Sequence, residues 1–333
     1  MEDVNVNNDD VCALLVTYSD RADFVVKVVK ELRCQGVDNI VVVDNGSLHR
    51  SKKLLASLVE RCGIVVLTET TNSGSAGGFY RGLSYIKSQM PCKRILLLDD
   101  DNCPAPGVVM ALNEKLSDAE HKLQSRLVAI ASLRKSRQYL NLLARGWKKE
   151  QVMPPRSSIY GFDFIQKINK FFKKSDPPFL ESGSHCVELP YAPYGGLFLS
   201  LSLLNAIGLP RTDFYLYGDD TEYTSRIARV GGQIFLAPEC EVRDLEPSWN
   251  EGEGAVFEML LAEVEHERVY YGVRNRVYFD SHFYRAGQFR YRLNRAMFVV
   301  LLFLFSVKGL RFRRFLYIIS ALRDGEAGAL GKL

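Results

Sequence analysis

The sequence has 333 residues, of which 47% are hydrophobic, 25% are charged and 11% are aromatic. This composition is typical of a globular protein and excludes a disordered chain, a collagen-like chain and a small disulfide-stapled protein. The formal net charge of +4 conceals two basic segments, at residues 133–174 and 281–323, and the second segment contains no acidic residue. The rest of the chain is acidic, so we expect the two basic segments to face anionic partners.

The start of the chain is acidic and polar, which is not the pattern of a signal peptide. The longest apolar run, residues 296–307, is about half as long as the roughly 20 residues that a membrane-spanning helix needs. The seven cysteines include no C-x-x-C pair, which favours free thiols in a reducing compartment. We therefore expect a cytoplasmic protein.

The first 130 residues alternate between strand and helix patterns. Short apolar runs predict strands at residues 11–18, 39–44, 63–68 and 94–98. Apolar residues at helical spacing predict helices at residues 21–35, 52–62 and 76–88. Strands that are apolar throughout and are separated by helices indicate a parallel sheet covered on both faces. Ligands of such sheets bind at the carboxyl ends of the strands.

The later part of the chain interrupts this alternation. Residues 133–184 are basic, contain two Pro-Pro pairs and predict an insertion with two short helices. Further strands are predicted at residues 186–191, 195–200 and 233–237, and helices at 220–230, 257–283, 285–307 and 310–323. We therefore predict an α/β catalytic domain over residues 1–254, with the basic insertion at about 133–184, and a helical, membrane-associating region over residues 255–333.

Three adjacent carboxylates follow the predicted strand 94–98, at Asp99, Asp100 and Asp101. In an extended chain Asp99 and Asp101 would face one way and Asp100 the other. Adjacent carboxylates repel one another unless a cation or strong donors neutralise them. The pattern therefore predicts a site for Mg²⁺ or Mn²⁺ with a bound diphosphate, although a solvated loop or a helix cap would show the same residues.

A second acidic group, Asp219, Asp220 and Glu222, opens the predicted helix 220–230. A carboxylate at a helix start is often only a cap. Three acids within one turn exceed what capping requires, so one of them is a candidate general base.

A glycine-rich stretch, residues 72–82, precedes and enters the predicted helix 76–88. Glycines at a helix start let backbone N–H groups approach a phosphate or a ribose, and Arg81 lies one turn into the helix. The stretch lacks the G-K-[ST] of a Walker loop, so it is not one. It follows the third predicted strand and not the first, which disfavours a dinucleotide fingerprint.

The order of these motifs resembles the inverting family-2 glycosyltransferases of the GT-A fold. The motifs are Thr17-Tyr18, Val43-Asp44-Asn45-Gly46-Ser47, Asn72-x-Gly-x-Ala-Gly-Gly, Asp99-Asp100-Asp101, Tyr217-Gly-Asp-Asp-x-Glu and Tyr271-Gly-x-Arg-Asn. The stretch 72–82 and the triple aspartate are most similar to the galactofuranosyltransferase and rhamnosyltransferase branch. The resemblance covers about residues 10–280 and implies a Rossmann-like nucleotide-diphospho-sugar transferase domain.

The resemblance implies a role for each matching residue. Donor nucleotide binding falls to Thr17, Tyr18, Asp44, Asn72, Arg81 and Asp100. The metal ion, Mn²⁺ or Mg²⁺, would be bound by Asp99, Asp101 and Asp244, the last in place of a histidine that related enzymes often carry. Asp220 would deprotonate the acceptor hydroxyl. Acceptor-site or supporting roles fall to Asp219, Glu222, Gly195, Gly196 and Trp249. The related branch has aromatic residues where this sequence has the two glycines, so we expect a roomier or different acceptor pocket.

These roles imply transfer of a sugar, best matched by galactofuranose from UDP-galactofuranose, to a lipid-linked or polysaccharide acceptor in cell-surface glycan synthesis of the O-antigen or cell-wall type. A rhamnosyltransferase using dTDP-rhamnose is the nearest alternative. A non-catalytic, membrane-recruited scaffold with the same fold is a more distant one. A sugar nucleotidylyltransferase is disfavoured, because it would need a glycine-rich basic loop after the first strand, where residues 17–20 stand.

The apolar run 296–307 has basic residues on both sides. A buried core helix would show the same run, but the absence of acids favours a helix lying at an anionic membrane surface. We therefore expect peripheral association with the inner face of the cytoplasmic membrane, and contacts of the basic insertion with lipid phosphates or the growing glycan. No aromatic-interleaved RNA motif or recognition helix is present in the sequence, so no nucleic-acid partner is expected.

Overall fold

The computed structural model describes residues 10–172, 187–246, 256–262 and 265–333. The chain forms two compact units. The first unit comprises residues 1–146, 181–212 and 220–248, and the second comprises residues 147–180, 213–219 and 249–333.

The first unit is built around a β-sheet with helices between its strands. The strands are β1 (Val11–Ser19), β2 (Asn39–Ser47), β3 (Val65–Glu69), β4 (Arg94–Asp99), β5 (Asn102–Pro104), β6 (Val128–Leu133), β7 (Val187–Leu189), β8 (Leu197–Ser200) and β9 (Gln233–Asp244). The helices are α1 (Ala22–Cys34), α2 (His49–Cys62), α3 (Gly74–Gln89), α4 (Val108–Leu123), α5 (Gln138–Ala144), α8 (Leu201–Ile207) and α9 (Asp219–Arg229). The predicted α/β fold class is confirmed.

The sheet is mixed. In the described part of the chain its order is β3-β2-β1-β4-β8-β6-β9-β5, and β7 pairs with β9. Strands β3, β2, β1 and β4 are parallel to one another, and β6 is parallel to β9. Strand β8 is antiparallel to both β4 and β6. The prediction of a parallel sheet is therefore confirmed for the first four strands and wrong for β8, because an apolar strand reports burial on both faces and not chain direction.

The core of the first unit explains why its strands end at one edge. Helix α1 buries Val25, Val28 and Leu32, which share one helix face. They belong to the same apolar cluster as Leu15 of β1 and Leu98 of β4. The parallel strands β1 and β4 are therefore held side by side, and the polar residues that follow them lie close together.

Four elements of the first unit were not predicted, namely β5, α8, α4 and β6. On α4 the buried polar residue Asn113 lies among Val109, Leu112 and Leu116 and interrupts the apolar periodicity. Strand β6 is short and rich in alanine, so its apolar signal is weak. The basic insertion predicted at 133–184 starts where β6 ends, and residues 134–146 belong to the first unit.

The second unit is helical in its described part. Its helices are α6 (Lys149–Val152), α7 (Phe164–Phe172), α10 (Val256–Leu261), α11 (His266–His282), α12 (Gln288–Lys308) and α13 (Phe312–Ala327). The single helix predicted over residues 257–283 is wrong, because α10 ends at Leu261 and α11 begins at His266. The helices predicted at 285–307 and 310–323 are confirmed as α12 and α13.

Helices α11 and α13 pack closely in the core of the second unit. The core contains Val273 and Val277 of α11 together with Ile318 and Ala321 of α13. A Cβ at Gly325 would lie 2.4 Å from the Arg274 carbonyl oxygen, so only glycine permits this approach. In the described part of the chain, no helix combines the length and the apolar character needed to cross a membrane.

Candidate active site

The end of β1 meets the acidic turn after β4. Thr17 Oγ1 donates a hydrogen bond of 2.9 Å to Asp100 Oδ2, and Arg21 donates to both carboxylate oxygens of Asp100 at 2.9–3.0 Å. Burial raises the pKa of Asp100, while Arg21 and Thr17 act to lower it. Asp100 thus joins β1 to the acidic turn. A nucleotide-binding role would come in addition to this structural one.

The triple aspartate does not continue as a strand. Strand β4 ends at Asp99, and Asp100 and Asp101 lie in a turn. Arg21 also donates to Asp101 Oδ2 at 3.2 Å. The predicted separation of Asp101 from Asp100 onto opposite faces is therefore wrong, because side chains alternate only while the backbone stays extended.

Asp244 lies beside the triple aspartate. Strand β5 pairs with β9 so that Asn102 stands opposite Asp244. The Nδ2 group of Asn102 donates to Asp244 Oδ1 at 2.8 Å and to Asp101 Oδ1 at 3.1 Å. Antiparallel pairing therefore joins two acidic segments that are far apart in sequence.

Arg134 lies between two of these carboxylates. It is 3% exposed, and its guanidinium donates to Asp99 Oδ2 at 3.5 Å and to Asp244 Oδ1. Ser136 also donates to Asp244. The Nε atom of Arg134 is buried and has no hydrogen-bond partner among the described residues. A buried cation with an unused donor is suited to an anionic ligand.

The electrostatics of the cluster are unfavourable at Asp101. Burial, together with the charges of Asp99 and Asp100, raises the pKa of Asp101 to about 7. A bound cation would relieve this repulsion, so the carboxylates of Asp99 and Asp101 fit a hard divalent ion chemically. Asp244 fits less well as a third ligand, because it accepts hydrogen bonds from Arg134 and Asn102. Within the described ranges no group of three His, Cys, Asp or Glu side chains is arranged to hold a metal ion.

Asp220 stands at the start of α9. The backbone N–H and hydroxyl of Thr221 donate to Asp220 Oδ1 at 2.6 and 3.2 Å. Burial raises the pKa of Asp220, and the charge of Asp99 raises it further, while Thr221 and Arg137 lower it. A carboxylate with a raised pKa beside the triple aspartate has the properties of a general base.

Two neighbours of Asp220 come from the start of the predicted insertion. Burial raises the pKa of Tyr139, and the charges of Asp220 and Arg137 also act on it. The Nε atom of Arg137 is buried and has no hydrogen-bond partner in the part of the chain that is described. Sequence reasoning identified this segment as basic but missed its place in the site. The sequence feature that could have located it is the group of three basic residues at positions 134, 135 and 137, directly after β6.

Glu222 has a structural environment. Its carboxylate accepts hydrogen bonds from Arg226 at 2.6–3.2 Å and from Arg229 at 3.4 Å. Arg226 in turn donates to the carbonyl oxygens of Ile207 and Leu209. Glu222 therefore ties α9 to the end of α8.

The predicted glycine pair also has a structural reason. A Cβ at Gly195 would lie 1.9 Å from Asn102 Oδ1 and 2.5 Å from Arg134 Nη1, and a Cβ at Gly196 would lie 2.7 Å from Ser132 Cβ. Asn102 and Arg134 occupy the space of the missing side chain at Gly195, so the expected extra room is not present at this position. The alternative of a different acceptor pocket stays a prediction.

The glycine-rich helix α3 packs on β1. A Cβ at Gly78 would lie 2.4 Å from Val16 Cγ1, and one at Gly82 would lie 2.2 Å from Leu14 Cδ1. These two glycines therefore allow close helix–strand packing. The predicted contact of backbone N–H groups with a phosphate or ribose would therefore involve the start of α3 and not these two glycines.

The start of α3 is held by amide side chains. Asn45 Oδ1 accepts from the N–H and the hydroxyl of Ser73, and Asn45 Nδ2 donates to the Gly74 carbonyl oxygen. Asn72 Oδ1 accepts from the N–H of Gly74 at 2.7 Å. Asn72 itself is exposed. The turn before α3 is thus ordered around an exposed amide.

The remaining predicted donor residues are dispersed along the same edge. Asp44 is buried and accepts from the Ser47 N–H at 2.8 Å. Tyr18 is exposed, with its ring centroid 5.6 Å from the Arg21 guanidinium. Arg81 pairs with Glu69 at 3.0 Å on the surface.

Asp219 belongs to a segment of the second unit that has an unusual backbone. Tyr215, Tyr217 and Gly218 all have positive φ angles. Asn275 Nδ2 donates to the carbonyl oxygens of Phe214, Leu216 and Tyr217 at 2.7–2.9 Å. The Arg-Asn motif of α11 therefore holds the segment that leads into Asp219. Trp249, the last predicted residue, lies outside the described residues.

Comparison with known proteins gives one family match and several similar solved structures. The model of "Glycosyl transferase family 2" matches residues 12–174. No curated protein matches the sequence significantly. The crystal structure of GalNAc-T7 with UDP, GalNAc and Mn²⁺ is similar with a TM-score of 0.52 and 12% identity, covering 80% of this chain and 47% of that chain. This chain thus spans about half of that structure.

The crystal structure of S. aureus TarS 1-349 is similar with a TM-score of 0.45 and 13% identity, covering 96% of this chain and 91% of that chain. The family match includes Asp44, Asn72 and the triple aspartate, and the likeness to GalNAc-T7 shows the fold. Residues 12–174 are thus similar to a family-2 glycosyltransferase domain, and the α/β fold is like that of the GalNAc-T7 structure.

Proposed function

We propose that this glycosyltransferase moves galactofuranose from UDP-galactofuranose, with inversion, onto a lipid-linked or polysaccharide acceptor in cell-surface glycan synthesis. The observation that carries the proposal is the composition of one cluster in the first unit. The charges of Asp99 and Arg137 both act on Asp220, and the charges of Asp99 and Asp100 act on Asp101. The buried Arg134 donates a hydrogen bond to Asp99. Carboxylates that can hold a cation, together with guanidinium donors, suit the stabilisation of a departing diphosphate. A nearby base suits the removal of the acceptor proton.

The donor would lie along the carboxyl ends of β1, β2 and β4. We assign binding of the nucleotide base and ribose to Thr17, Tyr18 and Asp44. We assign binding of the ribose or the phosphates to Asn72 and Arg81. The exposed ring of Tyr18 supports this assignment, because an exposed aromatic face is suited to stacking on a base. Arg81 would have to exchange its partner Glu69 for a phosphate.

We assign the divalent ion, Mn²⁺ or Mg²⁺, to Asp99 and Asp101. When bound, the ion supplies positive charge to the diphosphate oxygens as the donor bond breaks. The hydrogen bonds of Asp244 favour a different role for this residue, which is to hold Arg134 in place. Arg134 and Arg137 then neutralise the charge that develops on the departing diphosphate.

We assign the general base to Asp220. Its raised pKa makes it a better proton acceptor than a solvated aspartate, and its hydrogen bonds from Thr221 fix one oxygen. Asp220 removes the proton of the acceptor hydroxyl while that oxygen attacks the anomeric carbon from the face opposite the diphosphate. A single displacement inverts the anomeric centre, by analogy with sugar transfer to water.

The test is the variant Asp220→Asn, which keeps the size of the side chain and removes its basicity. We expect transfer to fall by about 10²–10⁴-fold, while UDP binding measured by calorimetry stays at the wild-type value. Asp38→Asn is the matched control, since Asp38 is exposed and pairs only with Arg33 among the described ion pairs. Unchanged transfer would remove Asp220 as the base. Absence of transfer in the parent protein with every nucleotide sugar would favour the non-catalytic scaffold.

The donor is identified by thermal shift. A ligand that binds the folded state raises the melting temperature. We expect UDP-galactofuranose with Mn²⁺ to raise it and chelator to abolish the rise. A melting temperature that rises only with dTDP-rhamnose would instead identify dTDP-rhamnose as the donor. A lipid-linked acceptor would place the protein at the inner face of the cytoplasmic membrane.

A further inference from the structure

Helix α12 has two apolar faces in the second unit. Phe298 and Leu302 are fully buried in the core. On another face of the same helix, Leu304 is 56% exposed and Val307 is 52% exposed. A helix that is apolar all round needs a second apolar environment besides its own core. The sequence run 296–307 therefore serves both the core and the surface.

The exposed face continues across the turn into α13. Leu310, in the turn, is 93% exposed and has a φ of 52°. The ring of Phe303 on α12 contacts the rings of Phe312 and Phe315 on α13, with centroids 6.5 and 5.5 Å apart. We call the exposed apolar set at the tip of these two helices the hairpin surface. Its members are Val300, Phe303, Leu304, Val307, Leu310, Phe312 and Leu316.

The charged side chains along the hairpin segment, from residue 288 to residue 323, are all basic. Lys308, Arg311 and Arg313 are exposed within the hairpin, and no acid lies between residues 281 and 323. Farther along α12, Arg295 pairs with Glu326 at 2.7 Å, so its charge is balanced inside the unit. The bases nearest the apolar residues are therefore the ones placed to meet an external anion.

We propose that the hairpin surface docks on an anionic lipid bilayer. Exposed leucine and phenylalanine side chains enter the boundary between headgroups and acyl chains, and the flanking bases contact lipid phosphates. A contiguous exposed apolar patch is uncommon on a soluble monomer, and charge complementarity selects an anionic membrane over a neutral one. Membrane docking is argued from the hairpin surface alone. Only its purpose, which is to bring the enzyme to a lipid-linked acceptor, rests on the proposed function.

The test is sedimentation of the full chain with vesicles of phosphatidylcholine alone and of an equal mixture with phosphatidylglycerol. We expect binding to the anionic vesicles that weakens with added salt. Leu310→Asp should lower the partition coefficient at least tenfold, roughly the effect of losing one apolar side chain and adding a repelled charge. Arg313→Gln should lower it roughly fivefold.

Phe289→Asp is the matched control. Phe289 is 83% exposed on α12 but lies outside the hairpin surface, so the same change there should leave vesicle binding at the wild-type value. Each variant is also tested for UDP binding, which reports on the proposed function and on folding but not on the membrane.

Vesicle binding that is lost in Leu310→Asp, with UDP binding retained, supports the proposal. Vesicle binding of Leu310→Asp equal to that of the wild type overturns it. Self-association in ultracentrifugation that Leu310→Asp abolishes, without vesicle binding of the wild type, overturns it in favour of a second copy of this chain. Failure of UDP binding in the wild type would instead contradict the proposed function.

Discussion

Replacing Asp101 by asparagine should stabilise the protein in the absence of metal. The pKa of Asp101 is raised to about 7, from 3.8 for a free side chain, first by burial and then by Asp99 and Asp100. The folded state therefore binds a proton that the unfolded state has released, and stability falls as pH rises between about 4 and 7. Asparagine removes the repelled charge and keeps an oxygen that can accept from Asn102.

The size of the effect follows from the pKa difference. Each pKa unit corresponds to about 1.4 kcal/mol, so ionised Asp101 costs the folded state about 4 kcal/mol above pH 7. Near pH 5 the cost is under about 2 kcal/mol, because the folded state is still protonated. We therefore expect Asp101→Asn to raise the free energy of unfolding by a few kcal/mol at about pH 8 and by clearly less near pH 5.

The measurement is denaturant unfolding of both proteins at the two pH values, in chelator. The proposed metal assignment predicts that the order reverses with Mn²⁺ and UDP, since only the wild type would offer both proposed ligands to the ion. Asp38→Asn, at an exposed surface pair, should change stability by less than about 0.5 kcal/mol at either pH. A less stable Asp101→Asn protein at the higher pH, or a gain that does not vary with pH, would refute the reasoning.

Two further substitutions test the packing and charge of the site. Arg134→Met should lower the free energy of unfolding by about 3–5 kcal/mol, because it leaves the Asp244 carboxylate buried without its cation. Adding Asp244→Asn should recover part of this loss in a double-mutant cycle. Full additivity of the two substitutions would contradict the coupling. Gly82→Ala should cost about 1–3 kcal/mol by chemical unfolding, because the new Cβ would lie 2.2 Å from Leu14 Cδ1. Gly287→Ala is its control, since a Cβ there meets nothing within 4 Å, and equal effects at the two glycines would contradict the close packing of α3 on β1.

The local pattern of the chain was sufficient for much of the first unit. Apolar runs identified β1, β2 and β4 because both faces of these strands are buried, and burial leaves a direct record in composition. The position of Asp99 at a strand end followed from the same record. The direction of β8 did not, since an antiparallel central strand is equally apolar.

The charged partners of the site were hidden from local pattern. In the sequence Arg134 is one of several basic residues of the predicted insertion. Only the pairing of β6 with β8 and β9 brings it to Asp99 and Asp244. The glycines of α3 carried a clear signal, but close packing on Leu14 and Val16 demands glycine as strongly as a phosphate does.

The sequence alone determined the α/β class and the acidic groups at the strand ends, because order along the chain and burial periodicity are local properties. The motif order added a resemblance to family-2 glycosyltransferases. Tertiary structure decided which charges meet. It placed the Arg134 guanidinium beside Asp244 and gave α12 an exposed apolar face. The packing of the elements decides which distant segments meet and which faces stay uncovered.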